Sequence, residues 1–182
     1  MKLIKFRRQY LITAKRVSEL EGWQKETFNG MNVYAEQSLQ MYKKKVENKE
    51  FLLLGYWINP HSPEMSDDEI LDKAVQNCET FQKVLDFLYS ISGRFALFCK
   101  FGEKIYGVSD AGGFRPIYYK YDNESVNITS NIYMFHYVMD VKENRKNISM
   151  NIRITINYSR HLIGVQVLRF TKMYLGFRQI II

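Results

Sequence analysis

The chain is poor in the residues that usually announce chemistry. Its 182 residues include two cysteines, three histidines and three prolines. Cys78 and Cys99 lack metal-ligand spacing and could close one bridge at most. A disulfide scaffold and a zinc ribbon are therefore excluded, and a reduced, cytoplasmic setting is the simpler expectation. His61, His136 and His161 sit in unrelated surroundings, with no paired carboxylate or His-x-x-x-His spacing, so no metal site is expected. No apolar run approaches the roughly 18–20 residues of a membrane-spanning helix, and the opening residues lack the apolar stretch of a secretory signal. A phosphate-cradling loop is missing too, because Gly112-Gly113 opens into a strand rather than a helix. No repeat of fixed period is present.

Acidic residues are missing from the last part of the chain. After Glu143 come Arg145, Lys146, Arg153, Arg160, Arg169, Lys172 and Arg178, with no Asp or Glu. These seven account for the whole formal charge of +7, leaving 19 basic and 19 acidic residues over 1–143. A basic tail can bind nucleic acid or an anionic surface. This one is rich in Ile, Leu, Val and Tyr, which disfavours nucleic acid as a partner. The chain therefore reads as a neutral body, 1–143, followed by a basic apolar tail, 144–182.

What is present is a large apolar fraction, 46%, with 15% aromatics, enough for one domain with a real core. Residues 2–6 could form a short edge strand. Residues 7–50 are mostly polar, and Lys43-Lys44-Lys45 reads as a solvated loop or hairpin. The run 51–58, Phe-Leu-Leu-Leu-Gly-Tyr-Trp-Ile, predicts a strand buried on both faces. Ser66-Asp67-Asp68-Glu69 has the form of a capping box, with Ile70, Leu71, Ala74 and Val75 as the apolar stripe of the helix that follows. A second helix is expected over 80–89, with Phe81, Val84, Leu85 and Leu88 facing inward. Strands are then expected at 94–101, 104–109, 116–121 and 125–129, and a short helix capped by Ser130 over 131–139. Helices followed by an antiparallel meander indicate an α+β domain.

Two ordered segments carry a resemblance. Gly93-Arg94-Phe95-Ala96-Leu97-Phe98 is similar to a Gly-x-Phe-Ala strand. Asp110-Ala111-Gly112-Gly113-Phe114-Arg115-Pro116-Ile117-Tyr118-Tyr119 is similar to Asp-Arg-x-Gly-x-Lys/Arg-Pro-Leu-Tyr-Tyr, departing at Ala111. Both patterns, one hairpin apart, belong to the class II glutamine amidotransferase domain of asparagine synthetases, an N-terminal-nucleophile hydrolase fold. Leu54-Gly55-Tyr56-Trp57-Ile58-Asn59 then occupies the place of the family's Asn-Gly-Glu-Ile-Tyr-Asn. Ser66-Asp67-Asp68-Glu69 occupies that of Ser-Asp-Thr-Glu. The resemblance spans roughly residues 50–135. It implies a four-layer αββα sandwich of antiparallel sheets, incomplete at the C-terminus, with Gly55 and Asp67 as the surviving substrate-binding residues. Asp67 also has a structural reading, as first-turn charge on a helix.

The same resemblance implies a lost activity. The family cleaves glutamine with an N-terminal Cys whose free amine serves as base; Lys2 stands there in this chain. Cys78 and Cys99 read as buried thiols, so no catalytic residue is assigned. Leu54 replaces the Asn of the oxyanion hole, Tyr56 replaces Glu, and no Arg in 33–39 can clamp a glutamine carboxylate. If the lineage holds, Leu54 and Asp67 should still line one cavity. A pyrophosphate loop of the family's ATP-using domain is also missing. The tail therefore reads either as a native terminus or as a truncated or frame-shifted end. The favoured reading is a degenerate scaffold without a cofactor, working beside an asparagine-synthetase-like ATP-dependent domain or protein. Glutamine is the ligand implied, with neither nucleic acid nor membrane as partner. The alternatives are an active amidotransferase supplying ammonia and a binding module acting through the basic tail.

Overall fold

The computed structural model describes residues 7–122, 125–139 and 167–170. Their strands form two five-stranded, wholly antiparallel sheets, in an α+β protein. The chain divides into two compact units, each built on one sheet and interleaved in sequence.

The first sheet has the order β2-β3-β1-β9-β8. Its strands are β1 (Tyr10–Thr13), β2 (Gln24–Phe28), β3 (Met31–Ala35), β8 (Tyr118–Asp122) and β9 (Ser125–Thr129). Phe28 opposes Met31, and Asn29-Gly30 between them both take positive φ, 48° and 75°. That is the backbone a two-residue hairpin turn requires, and Asn-Gly is its preferred sequence. One face of the sheet carries a cluster of Leu11, Val17, Leu20, Tyr34, Met134, Phe135 and Val138. Short 3-10 helices at Ser18–Leu20 and Ile132–Tyr137 contribute to it.

The second sheet has the order β10-β7-β6-β5-β4. Its strands are β4 (Met41–Val46), β5 (Lys49–Ile58), β6 (Ser92–Phe101), β7 (Lys104–Ser109) and β10 (Val167–Phe170). Helices α1 (Asp67–Asn77) and α2 (Phe81–Leu88) lie between β5 and β6 in sequence. Side chains alternate across a strand, and the register gives each face its residues. Phe51, Leu53, Trp57, Phe95, Leu97, Cys99 and Val108 share one core with Ile70, Leu71, Ala74, Val75, Val84, Leu85 and Leu88 of the helices. Leu52, Leu54, Ala96 and Phe98 occupy the opposite face and are fully buried. Strand β5 is thus sealed on both faces, as its unbroken apolar run predicts.

The structure fills in the N-terminal third and corrects one helix cap. Residues 7–50, mostly polar and given no elements from sequence, hold β1 to β4. Of the two readings of Lys43-Lys44-Lys45, the hairpin holds: the three lysines lie in one arm of the β4–β5 hairpin, with Lys44 opposite Phe51. Charge is tolerated there because β4 is an edge strand, where Lys also discourages pairing with other chains. Asn131, not Ser130, caps the helix that follows β9, which is a 3-10 helix over Ile132–Tyr137. The Ser130 hydroxyl is already engaged: it accepts from Tyr10 N–H at 2.9 Å and donates to Gln9 Oε1 at 2.6 Å. The strand expected at 2–6 lies outside the described residues. So do His161 and, apart from β10, the tail from 144 onward.

Candidate functional site

The two residues expected to hold substrate, Gly55 and Asp67, lie where β5 passes the start of α1. The capping box forms as expected. Ser66 Oγ accepts from Glu69 N–H at 3.3 Å, and Glu69 Oε2 accepts from Ser66 N–H at 2.8 Å. This fixes the first turn and leaves Asp67 turned toward the strand. Asp67 Oδ1 accepts from Trp57 N–H at 2.5 Å, and the carboxylate also accepts from the Tyr42 hydroxyl. Burial pushes the Asp67 carboxyl above its ordinary value, against the opposing pull of those two donors. Tyr42 is raised as well, first by burial and then by the Asp67 charge. The Gln40 side chain hydrogen-bonds to the Tyr42 hydroxyl.

Gly55 is held by its strand neighbours. Its N–H donates to the Gln40 carbonyl at 2.9 Å. Its φ is +121°, and a Cβ built there would stand 2.0 Å from the Arg94 carbonyl oxygen. Gly93 is its counterpart: φ is +140°, and a Cβ would stand 2.2 Å from the Tyr56 carbonyl oxygen. No side chain fits at either place, so each glycine is required by the close approach of β5 and β6. Leu54 is fully buried on the face opposite Tyr42 and Trp57. It therefore shares no open cavity with Asp67, and that expectation of the resemblance is not met. Tyr56, beside it, is half-buried and opposes Arg94.

The segment after β7 is organised by Asp110, a role that reading the segment as a turn did not reveal. Its carboxylate is buried and accepts from the N–H groups of Phe114 at 2.9 Å, Arg115 at 2.9 Å and Phe95 at 3.3 Å. Its carbonyl accepts from Gly113 N–H at 2.9 Å. One aspartate thus ties the Gly-Arg-Phe-Ala strand to the Asp-Ala-Gly-Gly-Phe-Arg turn, the two segments that carry the resemblance. The signal was legible: an Asp opening a Gly-rich turn often bonds the backbone N–H groups that follow it. Beyond it, the Arg94 guanidinium lies 4.9 Å from the centre of the exposed Phe114 ring.

Neither cysteine is placed to react. Cys78 and Cys99 are free and buried in the helix–sheet core, and burial pushes both thiols up, Cys99 well above the usual range. A thiol held protonated is a poor nucleophile. His61 and His136 are exposed and far apart in sequence, one after β5 and the other in a 3-10 helix. Among the described residues no three His, Cys, Asp or Glu side chains gather as a metal site would need, and no helix is long and apolar enough to cross a membrane.

No family model matches the sequence. No curated protein matches it either. Among solved structures the chain is similar to the glutamine phosphoribosylpyrophosphate (PRPP) amidotransferase from B. subtilis complexed with ADP and GMP. The two are 11% identical, with a TM-score of 0.45, over 72% of this chain and 37% of that one, so this chain spans little more than a third of that protein.

Proposed function

We propose that the chain is a degenerate class II glutamine amidotransferase-like domain of an asparagine-synthetase-like protein, without glutaminase activity, supporting an ATP-dependent amide-forming domain. The ordered motifs at 93–98 and 110–119 support the lineage, and so does an α+β architecture with two antiparallel sheets. The sealed Leu54 withdraws one support from it. The observation that carries the loss of activity is at Gly55. In a working site of this kind, its N–H and an Asn side chain hold the charge that develops on the scissile amide oxygen. Here that N–H is spent on the Gln40 carbonyl at 2.9 Å, and the Asn position holds a buried Leu54. Loss of one oxyanion donor costs about 10²–10³ in rate, and this site has neither.

The purified chain incubated with L-glutamine should release no glutamate above the rate in buffer. Release that saturates with glutamine would reinstate the alternative, an active amidotransferase supplying ammonia. The supporting role is tested by co-purification with a protein carrying the family's synthetase domain. Amide formation by that partner should fall when this chain is withheld, with free ammonia supplied in both arms. An unchanged rate would remove the scaffold reading.

A further inference from the structure

The outer strands of the first sheet are β2 and β8; those of the second are β4 and β10, with β7 directly beneath β10. A bare strand edge offers its N–H and C=O groups to any other chain, and charged side chains on the strand discourage such pairing. Strands β2, β8 and β4 carry that protection in their sequences, as Lys25 and Glu26, Lys120, and Lys43-Lys44-Lys45. Strand β7 does not. Its one charge is Lys104 at the first position, and Ile105-Tyr106-Gly107-Val108 after it are uncharged. Ile, Tyr and Val are strand formers, and no proline interrupts them. These same residues are the ones β10 covers: Ile105 pairs with Phe170, Tyr106 with Arg169, Gly107 with Leu168 and Val108 with Val167.

We propose that Val167–Phe170 is an edge guard, which keeps β7 from pairing with the β7 of a second copy of the chain. A second copy is the partner this edge fits, because a bare strand edge is complementary to itself in the antiparallel sense. Two bare β7 strands meeting that way would set their lysines at opposite ends and leave 105–108 free of like charges. Covering β7 reverses this. The new outer strand contains Arg169, and the chain after Glu143 holds seven basic residues and no acidic one. Two covered copies therefore bring like charge to the meeting. The guard gives the tail a task of its own, one that does not depend on the amidotransferase reading.

Leu168→Pro in the full chain breaks β10 and leaves the net charge unchanged, since proline is excluded from the interior of a paired strand. Sedimentation gives the mass from micromolar to near-millimolar protein, and amide exchange reads 105–108 over the same range. The native chain should keep one mass and slow exchange throughout. The dilute variant should exchange faster at 105–108. On concentration its mass should double, and the lost protection should return. A folded variant that keeps the native mass at every concentration overturns the proposal. Association that leaves 105–108 unprotected overturns it too, because the contact then lies elsewhere. Unchanged exchange at 105–108 in the dilute variant would mean that the tail does not cover this edge, with the same consequence. So would a native chain whose mass rises with concentration. Should Leu168→Pro not fold, Phe170→Pro breaks only the last pair of the ladder and is read in the same way, with the change centred on Ile105.

Discussion

A methyl group on Gly55 or Gly93 would stand 2.0 or 2.2 Å from a carbonyl oxygen of the other strand. Neither strand can retreat without breaking the β5–β6 ladder, so the cost of a side chain falls on the backbone. Gly93→Ala should destabilise the protein by about 2–3 kcal/mol, the scale of strain in this φ region together with the clash. Gly22, with open space around it and no positive φ, is the control: Gly22→Ala should fall within about 0.5 kcal/mol of the native chain. Urea denaturation of both variants checks the contrast. Asp110→Ala should be more damaging than its size suggests, at about 2–4 kcal/mol, because it strands N–H donors at Phe95, Phe114 and Arg115. Faster amide exchange at Phe114 and Arg115 would locate the loss. Asp67 gives a pH dependence of known sign. Its folded value is raised, so the folded chain keeps the proton to higher pH than the unfolded chain does. The stability this contributes is fully present below the ordinary Asp value of about 3.9 and is lost as pH rises through the folded value. Asp67→Asn should flatten that part of the stability profile, measured as the urea midpoint against pH.

At the scale of elements, the helices and the central strands were the legible part. Ser66-Asp67-Asp68-Glu69 encodes its helix start in four residues, and both bonds of the capping box are present. Ser66→Ala should cost about 1 kcal/mol, read as a lower thermal midpoint together with reduced helical circular dichroism. The run 51–58 was legible because a strand buried on both faces leaves no place for polar residues. Edge strands hide for the opposite reason. Strand β2 is Gln-Lys-Glu-Thr-Phe and β4 is Met-Tyr-Lys-Lys-Lys-Val, with only Phe28 of the two strands fully buried, so their sequences obey the solvent more than the sheet. Asn29-Gly30 would have located the β2–β3 hairpin; its signal lies in the turn rather than in the strands. The Asp67 network was illegible for a further reason. Tyr42 and Asp67 are 25 positions apart and meet only through the β4–β5 register and the entry angle of α1. Lys44, which bridges Asp68 at 2.7 Å and Asp72 at 3.0 Å, joins the same two elements. Those carboxylates are about half exposed, and the pairs should contribute no more than about 1 kcal/mol.

Across the whole molecule, the charge asymmetry and the second sheet meet in the tail. Val167–Phe170 pairs with Val108 back to Ile105 and so gives β7 its outer neighbour. A chain ending at Glu143 should lose that pairing, with faster amide exchange over 105–108 while β5 and β6 keep their protection. The same truncation removes the whole formal excess of seven positive charges. The shortened chain should pass a cation-exchange column at neutral pH that retains the full chain, and its solubility at that pH should fall as net charge approaches zero.

The molecule has two tryptophans, and each compact unit carries one. Trp23 packs only partly into the cluster on the first sheet. Trp57 is 4% exposed, lies 5.7 Å from Phe95 and 5.9 Å from Phe87, and its indole nitrogen has no hydrogen-bond partner among the described residues. An indole so enclosed emits at short wavelength, whereas one touching water emits further to the red. Two single-fluorophore proteins, Trp23→Phe and Trp57→Phe, would therefore give each sheet its own colour. Superimposable denaturation curves from the pair would mean that the two sheets melt as a single cooperative body, and separated curves would mean that each melts alone.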